Sequence, residues 1–461
     1  MFRSINTVHF VGIGGIGMSG IAEILIDQGF KVSGSDLNIT DVTERLTMQG
    51  AKIFSGHSAE NIIDADVVVY SSAVKPEENV ETAEALKRKI PTIRRAEMLA
   101  EVTRMKYGVA VAGTHGKTTT TSMIGLVMIE GGLDPTVIVG GKLSSLGGTN
   151  ARLGHGEWTV VEADEFDRSF LTLSPTIAVV NNMEREHLDI YSDLDDIKSA
   201  FIEFANKVPF YGFVAICLDE TSLLDIIPFI KKRVIGFGTT PQCDIRAVDM
   251  VFSERTAKFN VIYNGKNLGE VTIGVPGEHN VKNALAAITV GLETGVNIED
   301  IAKSLKSFTG VYRRFEVKGE ENGIIVIDDY AHHPTEVKAT LEAIRKGWKD
   351  RRVIGVFQPH TFTRTRDFYE DFGKAFFNAD LAIITDIYPA RERPIQGITG
   401  ELVSESASKF GHRNVEYVQD KNELANKILS IVKSGDIVIT MGAGDIWKTA
   451  DEVLKQLKIE S

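Results

Sequence analysis

The sequence predicts an α/β protein of three domains in series. Its 461 residues would hold about three domains at roughly 150 residues each. Short apolar runs ending in glycine or polar residues alternate with amphipathic helical stretches, and such a series starts afresh three times. Between the second and third series, residues 245–276 alternate apolar and polar around an Asn264-Gly265 turn, which predicts an antiparallel edge.

In the first domain, residues 1–106, "VHFVGIG", "KVSGSD", "AKIFSG" and "DVVVYSSA" read as strands and "ENVETAEALKRK" as a helix. The charged helix "RRAEMLAEVTRMKYG" leads into the second domain, residues 107–311, which opens with strand, glycine loop and helix in "YGVAVAGTHGKTTTTSMIGLVMIEGG". "EWTVVEADE" and "PTIAVVNNMEREH" are buried strands ending in polar residues, and the helical "HNVKNALAAITVGLETG" closes the domain. The third domain, residues 312–461, has strands "GIIVIDDYA", "RRVIGVFQP", "LAIITDIYP", "NVEYVQ" and "DIVITMGAG". Helices such as "PTEVKATLEAIRK" separate them. The outer two domains read as Rossmann-like and the central one as P-loop-type. Linkers near residues 107 and 311 are the expected hinges.

Composition narrows the functional classes. With 43% hydrophobic and 25% charged residues, the chain buries ordinary cores. A net charge of −12 argues against a nucleic-acid or anionic-membrane partner, which would call for a basic face. Two cysteines, Cys217 and Cys243, imply no disulfide framework. The start "MFRSINTVHF" lacks a signal-peptide pattern, and no apolar run reaches the length of a membrane span, so a cytoplasmic location is expected.

Two glycine loops carry the chemistry. In "VGIGGIGMSG", Gly12, Gly14 and Gly17 match the dinucleotide fingerprint, with Asp36 where an acidic residue would meet a ribose. Alone, that loop predicts only a helix start close to a phosphate. The stretch "VAVAGTHGKTTTTS" is a shortened P-loop, because the full pattern would put glycine where Val111 stands. Its backbone N–H groups would cradle phosphate oxygens, Lys117 would neutralise the terminal phosphate, and Thr118 would present a hydroxyl to Mg²⁺. Nearby strand ends offer Glu162, Asp164, Glu165, Asp167, Asn182, Glu186 and His187 as metal ligands. One carboxylate suffices beside phosphate and water, so most of these acids are expected to be solvated or to cap helices.

The last third contributes Arg313 and Arg314 in "YRRFE", then Asp328, Asp329, Tyr330, His332 and His333 in "VIDDYAHHP". "FQPHTFTRTRD" adds His360, Arg364 and Arg366. The histidines fit no familiar zinc spacing, whereas arginines at strand ends suit carboxylate or phosphate recognition.

In order along the chain stand "GIGGIGMSG", "GTHGKTTTT", "VEADE", "NNMEREHLD", "GEHNVKNALAA", "YRRFE", "DDYAHHPTE", "FQPHTFTRTRD", "DIYPARERP" and "GAGDIW". From about residue 8 to about residue 450, this series resembles the bacterial Mur ligases. "GTHGKTT" and "EREH" mark the superfamily; "GIGGIGMSG" and "DDYAHHP" resemble the members that add alanine. The resemblance implies a peptidoglycan-precursor ligase whose first domain holds UDP-N-acetylmuramate. The second would bind ATP, and the third would close with L-alanine. The lactyl carboxylate would attack the γ-phosphate, giving an acyl phosphate and ADP, and the amine of alanine would then displace phosphate.

By this resemblance Gly113, Thr114, His115, Gly116, Lys117, Thr118 and Thr119 bind ATP, with Asn280 at the adenine and Arg314 and Asp329 at phosphate and ribose. Two Mg²⁺ ions are implied, Mn²⁺ being an alternative: Thr118 and Glu162 would hold one, His187 the other. Lys117, Glu162, His187 and Arg314 form the implied catalytic set. Gly15, Ile16, Gly17, Met18, Ser19, Asp36, His57, Ser71, Ser72 and Ala73 would bind uridine and pyrophosphate. Tyr330, His332 and Arg364 would surround the alanine. Relatives often carry arginine where this chain has Thr361, and some carry a carbamylated lysine, a role not assigned to Lys198. A monomer or weak homodimer is expected.

Three rival readings remain at this point. An NAD-dependent oxidoreductase would leave "GTHGKTTT" without a job. A non-catalytic nucleotide sensor sits poorly with intact Lys117, Glu162 and His187. A ligase adding a tripeptide to the same sugar would differ around residues 330–366.

Overall fold

A computed structural model describes residues 5–71, 73–143, 149–185 and 190–459. The chain forms two compact units. One comprises Met1–Val248, Val261–Gly269 and Lys282–Leu305; the other comprises Asp249–Asn260, Glu270–Val281 and Lys306–Ser461. Among the described residues there are three sheets, as the sequence predicts.

The N-terminal sheet contains β1 (Thr7–Val11), β2 (Lys31–Asp36), β3 (Lys52–Ser55), β4 (Val67–Tyr70) and β5 (Thr92–Arg94). Its order is β3-β2-β1-β4-β5 and every pairing is parallel. The chain winds outward from β1 in one direction and returns to β4 on the other side. That reversal makes a switch-point crevice at the carboxyl ends of β1 and β4, where open α/β sheets take ligands. The helix Ile16–Asp27 starts there, directly after the first glycine loop.

The central sheet comprises β6 (Tyr107–Ala112), β7 (Thr136–Leu143), β8 (Thr149–Arg152), β9 (Trp158–Glu162), β10 (Ile177–Val180), β11 (Phe213–Cys217), β12 (Val234–Gly238), β13 (Ile245–Ser253), β14 (Thr256–Tyr263) and β15 (Lys266–Ile273). Their order is β15-β14-β13-β12-β11-β10-β6-β9-β7-β8. Strand β6 lies between β9 and β10, parallel to both, so its carboxyl end opens at the centre of the sheet. Continuous apolar runs such as "VAVA" and "FVAIC" are buried, as expected for parallel strands covered on both faces. The predicted edge is the β13–β15 meander. Asn264 and Gly265 have φ of 48° and 79°, the positive pair a tight hairpin turn requires.

The C-terminal sheet has the order β16-β17-β21-β18-β19-β20. It contains β16 (Glu316–Glu321), β17 (Ile324–Asp329), β18 (Val353–Phe357), β19 (Leu381–Thr385), β20 (Val415–Val418) and β21 (Ile437–Met441). Apolar clusters cover both faces: Ile327, Leu341 and Phe357 lie in one, Val326, Val356 and Val453 in the other. Strand β16 is absent from the sequence reading. It is a charged antiparallel edge with a register shift between Val317 and Gly319, so its residues show no apolar run. The three-residue β5 escapes for the same lack of pattern.

Candidate functional site

The carboxyl ends of the N-terminal strands gather most of the predicted sugar-nucleotide residues. Asp36 ends β2, and its carboxylate accepts from Gly14 N at 2.9 Å and from Asn38 N at 3.1 Å. It therefore braces the glycine loop from below, a role the fingerprint alone does not assign. His57 follows β3, while Ser71 and Ala73 follow β4, half-buried and exposed respectively. Ser72 lies outside the described residues. Gly15 caps the helix that Ile16 opens. Met18 and Ser19 are buried and both give their N–H to Gly15 O at 2.9 Å. These two bonds seat the first turn of the helix.

Gly17 reveals a residue the sequence reading missed. A Cβ placed there would stand 2.7 Å from Arg95 Nη1 and 3.1 Å from Arg95 Cδ. Arg95 opens the helix Arg95–Arg104, far along the chain from the loop, so no local pattern links the two. Its guanidinium nonetheless crosses the start of the Ile16–Asp27 helix, where exposed N–H groups already favour an anion.

The second loop is held more tightly. Gly116 has φ 78° and caps the helix Lys117–Glu130, and a Cβ there would lie 2.7 Å from Asn283 Oδ1. Glycine is required on both counts. Asn182 clamps the loop backbone: His115 N donates to its Oδ1 at 2.7 Å, and its Nδ2 donates to His115 O at 3.1 Å. Thr114 Oγ1 accepts from Glu184 N. Asn182, a candidate metal ligand in the sequence, is thus committed to shaping the loop. Asn181 and Asn283 continue the brace through Thr120 Oγ1.

Lys117 Nζ donates to both oxygens of Glu165, at 2.9 and 2.7 Å, and to Gly113 O at 2.8 Å. Glu165 stands at the N-cap of the short helix Phe166–Thr172, one of the two places expected for these acids, but its carboxylate is buried against Lys117 and not solvated. Burial pushes its carboxyl up despite the opposing charge of Lys117. Glu162 ends β9 and accepts from Gly140 N at 2.6 Å. Its enclosure also pushes the pKa up; Gly140 N, the Thr118 hydroxyl and Lys117 act against this, and Asp164 adds to it. The Thr118 hydroxyl and the Glu162 carboxylate form a pair of hard oxygen donors suited to Mg²⁺. A divalent cation would offset the charge crowding that Glu162 shares with Asp164. Glu186 and His187 lie outside the described residues. Lys198 is ion-paired with Asp225 at 2.9 Å and Asp195 at 3.4 Å.

The other unit assembles its own cluster around Tyr330. The guanidinium carbons of Arg313 and Arg314 lie 5.1 and 4.9 Å from the Tyr330 ring centre. Arg313 is tied down by Asp328 at 3.1 Å and by the carbonyls of Gly442 and Gly444. Arg314 Nη1 contacts Glu336 Oε1 at 3.3 Å and is half-buried. Asp329 is buried, and its oxygens accept from Phe315 N, Ala331 N and Thr340 Oγ1. These bonds make it the organiser of the turn after β17. Burial raises its pKa to about 6 against the pull of Arg314 and the Ala331 N–H.

His332 Nδ1 lies 2.9 Å from Tyr330 O and 3.2 Å from Glu336 Oε2. Its ring meets His360 edge-on, with centroids 5.9 Å apart. Arg364 Nη1 reaches His360 Nδ1 at 3.4 Å. Burial, then the Arg364 charge, depress His360 to about 4, so the ring is a neutral acceptor. Thr361 caps the next helix with φ 67°, an unusual conformation for a β-branched residue. His333 packs instead on Phe368. Asn280 is buried and its Nδ2 donates to Pro276 O at 2.7 Å.

A phosphate-cradling loop with its lysine, a hard-oxygen pair and an arginine-rich cluster on a three-sheet α/β fold define a nucleotide-dependent transferase or ligase. Comparison with known proteins makes this specific. Mur ligase profiles match successive stretches: the family's catalytic domain at residues 7–107, the middle domain at 111–291 and the glutamate ligase domain at 313–444. The chain belongs to the Mur ligase family. It is 55% identical over 458 residues to the UDP-N-acetylmuramate–L-alanine ligase of Geotalea daltonii, covering 99% of each. The enzyme of the same name from Salinibacter ruber is 53% identical over 98% of this chain and 95% of its own. Among solved structures, UDP-N-acetylmuramate–alanine ligase from Thermotoga maritima superposes with TM-score 0.82 at 30% identity, covering 99% of this chain and 100% of that one. A murein peptide ligase from Psychrobacter arcticus shares the fold, with TM-score 0.70 at 24% identity and 98% of each chain covered.

Proposed function

We propose that this chain is an ATP-dependent UDP-N-acetylmuramate–L-alanine ligase of peptidoglycan precursor synthesis, acting in the bacterial cytoplasm. The observation that carries the reading is the Gly116-Lys117-Thr118 helix start beside Glu162, at the open carboxyl end of β6. Three domains, with boundaries near residues 106 and 311, divide the work among sugar nucleotide, ATP and amino acid.

The reaction joins two anions, so its main difficulty is charge. The lactyl carboxylate attacks the γ-phosphorus of ATP, the bond to the β-phosphate oxygen breaks, and ADP leaves. The amine of L-alanine then attacks the acyl phosphate carbon, loses a proton, and inorganic phosphate departs. Helix N–H groups and Lys117 hold the phosphates and neutralise developing charge. Thr118 and Glu162 would hold Mg²⁺, which supplies electrostatic stabilisation of the transferring phosphoryl group. We assign a second divalent site to His187. Arg314 supplies a further cation, and Tyr330, His332 and Arg364 bound the amino-acid pocket. Gly15, Ile16, Gly17, Met18, Ser19, Asp36, His57, Ser71, Ser72 and Ala73 form the sugar-nucleotide end.

The test is phosphate release from ATP and Mg²⁺. Release should require both UDP-N-acetylmuramate and an amino acid, with L-alanine best. Release indifferent to the sugar nucleotide, or a stronger response to a tripeptide, overturns the reading.

A further inference from the structure

Beneath the sugar-nucleotide end lies a buried polar cluster of which the ligase reading uses only His57. Glu81, in the first turn of the helix Val80–Lys87, is wholly inaccessible. Its Oε2 accepts from Ser35 Oγ at 2.5 Å and lies 3.1 Å from His57 Nδ1. Its Oε1 accepts from Asn61 Nδ2 at 2.6 Å and from Ser58 N at 3.4 Å, with His9 Nε2 at 3.7 Å. His9, equally buried, places Nδ1 2.9 Å from Ser33 Oγ. Three chain segments besides its own helix therefore converge on one carboxylate.

The proton positions follow from the contacts. Ser35 uses its hydroxyl hydrogen on Glu81, so its oxygen can only accept from His57 Nδ1, which lies 2.9 Å away. Glu81 Oε2 is likewise an acceptor. Both neighbours require a proton on Nδ1, leaving Nε2 as the nitrogen of this partly exposed ring that can meet a ligand. Burial would raise the Glu81 carboxyl, but the contacts with His9, Ser35 and Asn61 outweigh it and hold the pKa at about 2. Burying a carboxylate is costly where an apolar side chain would pack as well. The ring of the cluster that reaches the surface is His57, at the carboxyl edge of the sheet, whereas Glu81 and His9 are fully buried.

We propose that Glu81 is a positioning residue for sugar-nucleotide binding: through Ser35 and its own Oε2 it fixes the Nδ1–H form and orientation of His57, which presents Nε2 to the uridine diphosphate portion. This rests on the sugar-nucleotide reading above, but it can be tested without turnover. In the full-length protein, ¹⁵N spectra of the histidine rings, assigned with His57→Ala, should show His57 protonated at Nδ1. Glu81→Gln should disturb that signature and weaken UDP binding, measured calorimetrically, by about tenfold or more. In the His57→Ala background Glu81→Gln should have no further effect on UDP binding. During turnover, KM for the sugar nucleotide should rise and KM for ATP should not.

Equal UDP affinity in wild type and Glu81→Gln overturns the proposal, as does an undiminished effect in the His57→Ala background. An Nε2-protonated His57 in the wild type also overturns it. Should Glu81→Gln fail to fold, Ser35→Ala removes one arm of the relay and should shift the same spectrum and weaken UDP binding. Normal UDP binding without alanine ligation would count against the ligase reading and leave the role of Glu81 standing.

Discussion

Lys117 Nζ lies 2.7 Å from Glu165 Oε2, and the same nitrogen donates to Gly113 O at 2.8 Å. The phosphate loop thus carries its own counterion, which keeps the lysine folded back over the loop. The helix start provides the N–H groups; Glu165 provides the orientation of the cation. A fixed cation costs less reorganisation when charge develops in the transition state.

Lys117→Ala should lower kcat on the order of 10²–10³-fold or more, because the transferring phosphoryl group loses that cation. It should also lower Tm, since removing one partner of a buried pair leaves the other carboxylate uncompensated. Adding Glu165→Gln should restore Tm without restoring turnover. Thermal melts beside phosphate-release rates separate the two effects, and a double variant that regains activity would contradict the role of Lys117.

Glu162→Gln should raise the Mg²⁺ concentration needed for half-maximal turnover by about tenfold or more, since a charged oxygen donor is replaced by a neutral one. The Gly140 N–H bond to the retained oxygen should keep the fold intact. An Mg²⁺ titration at saturating ATP checks this, and an unchanged midpoint would remove Glu162 from the metal site.

Much of this machinery was legible in the sequence, because a phosphate loop is a local object: strand, glycines, lysine and helix stand in one short run. The three α/β series and the Asn264-Gly265 hairpin were legible for the same reason. Partnerships between strand ends were not. Glu165 and Asp164 look alike in "VEADE", yet one is buried against Lys117 and the other is far more exposed. Arg95 and Gly17, or Glu81 and His57, meet only after the sheet has ordered its strands β3-β2-β1-β4-β5. Asn182 read as a ligand because its amide stands among acids at a strand end, and only the reciprocal bonds to His115 reveal a brace.

Arg95→Ala should weaken UDP binding by about tenfold, the scale of one charge-assisted contact, while leaving KM for ATP unaltered. Gly17→Ala should act in the same direction, because the new methyl would displace the guanidinium. Calorimetry with UDP tests both, and unaffected binding in Arg95→Ala would mean that the guanidinium serves only the fold.

Asp329 gives the protein a pH-dependent stability of defined sign. Its folded pKa is raised from 3.8 to about 6, by burial first and by Glu336 and Asp328 further, against Arg314 and the Ala331 N–H. The folded state therefore binds more protons than the unfolded state across that window. The contribution is fully present below the unfolded value and is lost as pH rises through about 6. At 1.36 kcal/mol per unit, the whole effect is about 3 kcal/mol. Asp329→Asn should be less stable at every pH, because its amide group opposes one of the N–H donors from Phe315 or Ala331. It should also lose this group's share of the slope. Urea midpoints from pH 4 to pH 7 in both proteins isolate the difference. A wild-type curve that falls no faster than the variant's between pH 4 and pH 6 would show that the buried carboxyl is already ionised there, held by its three donors.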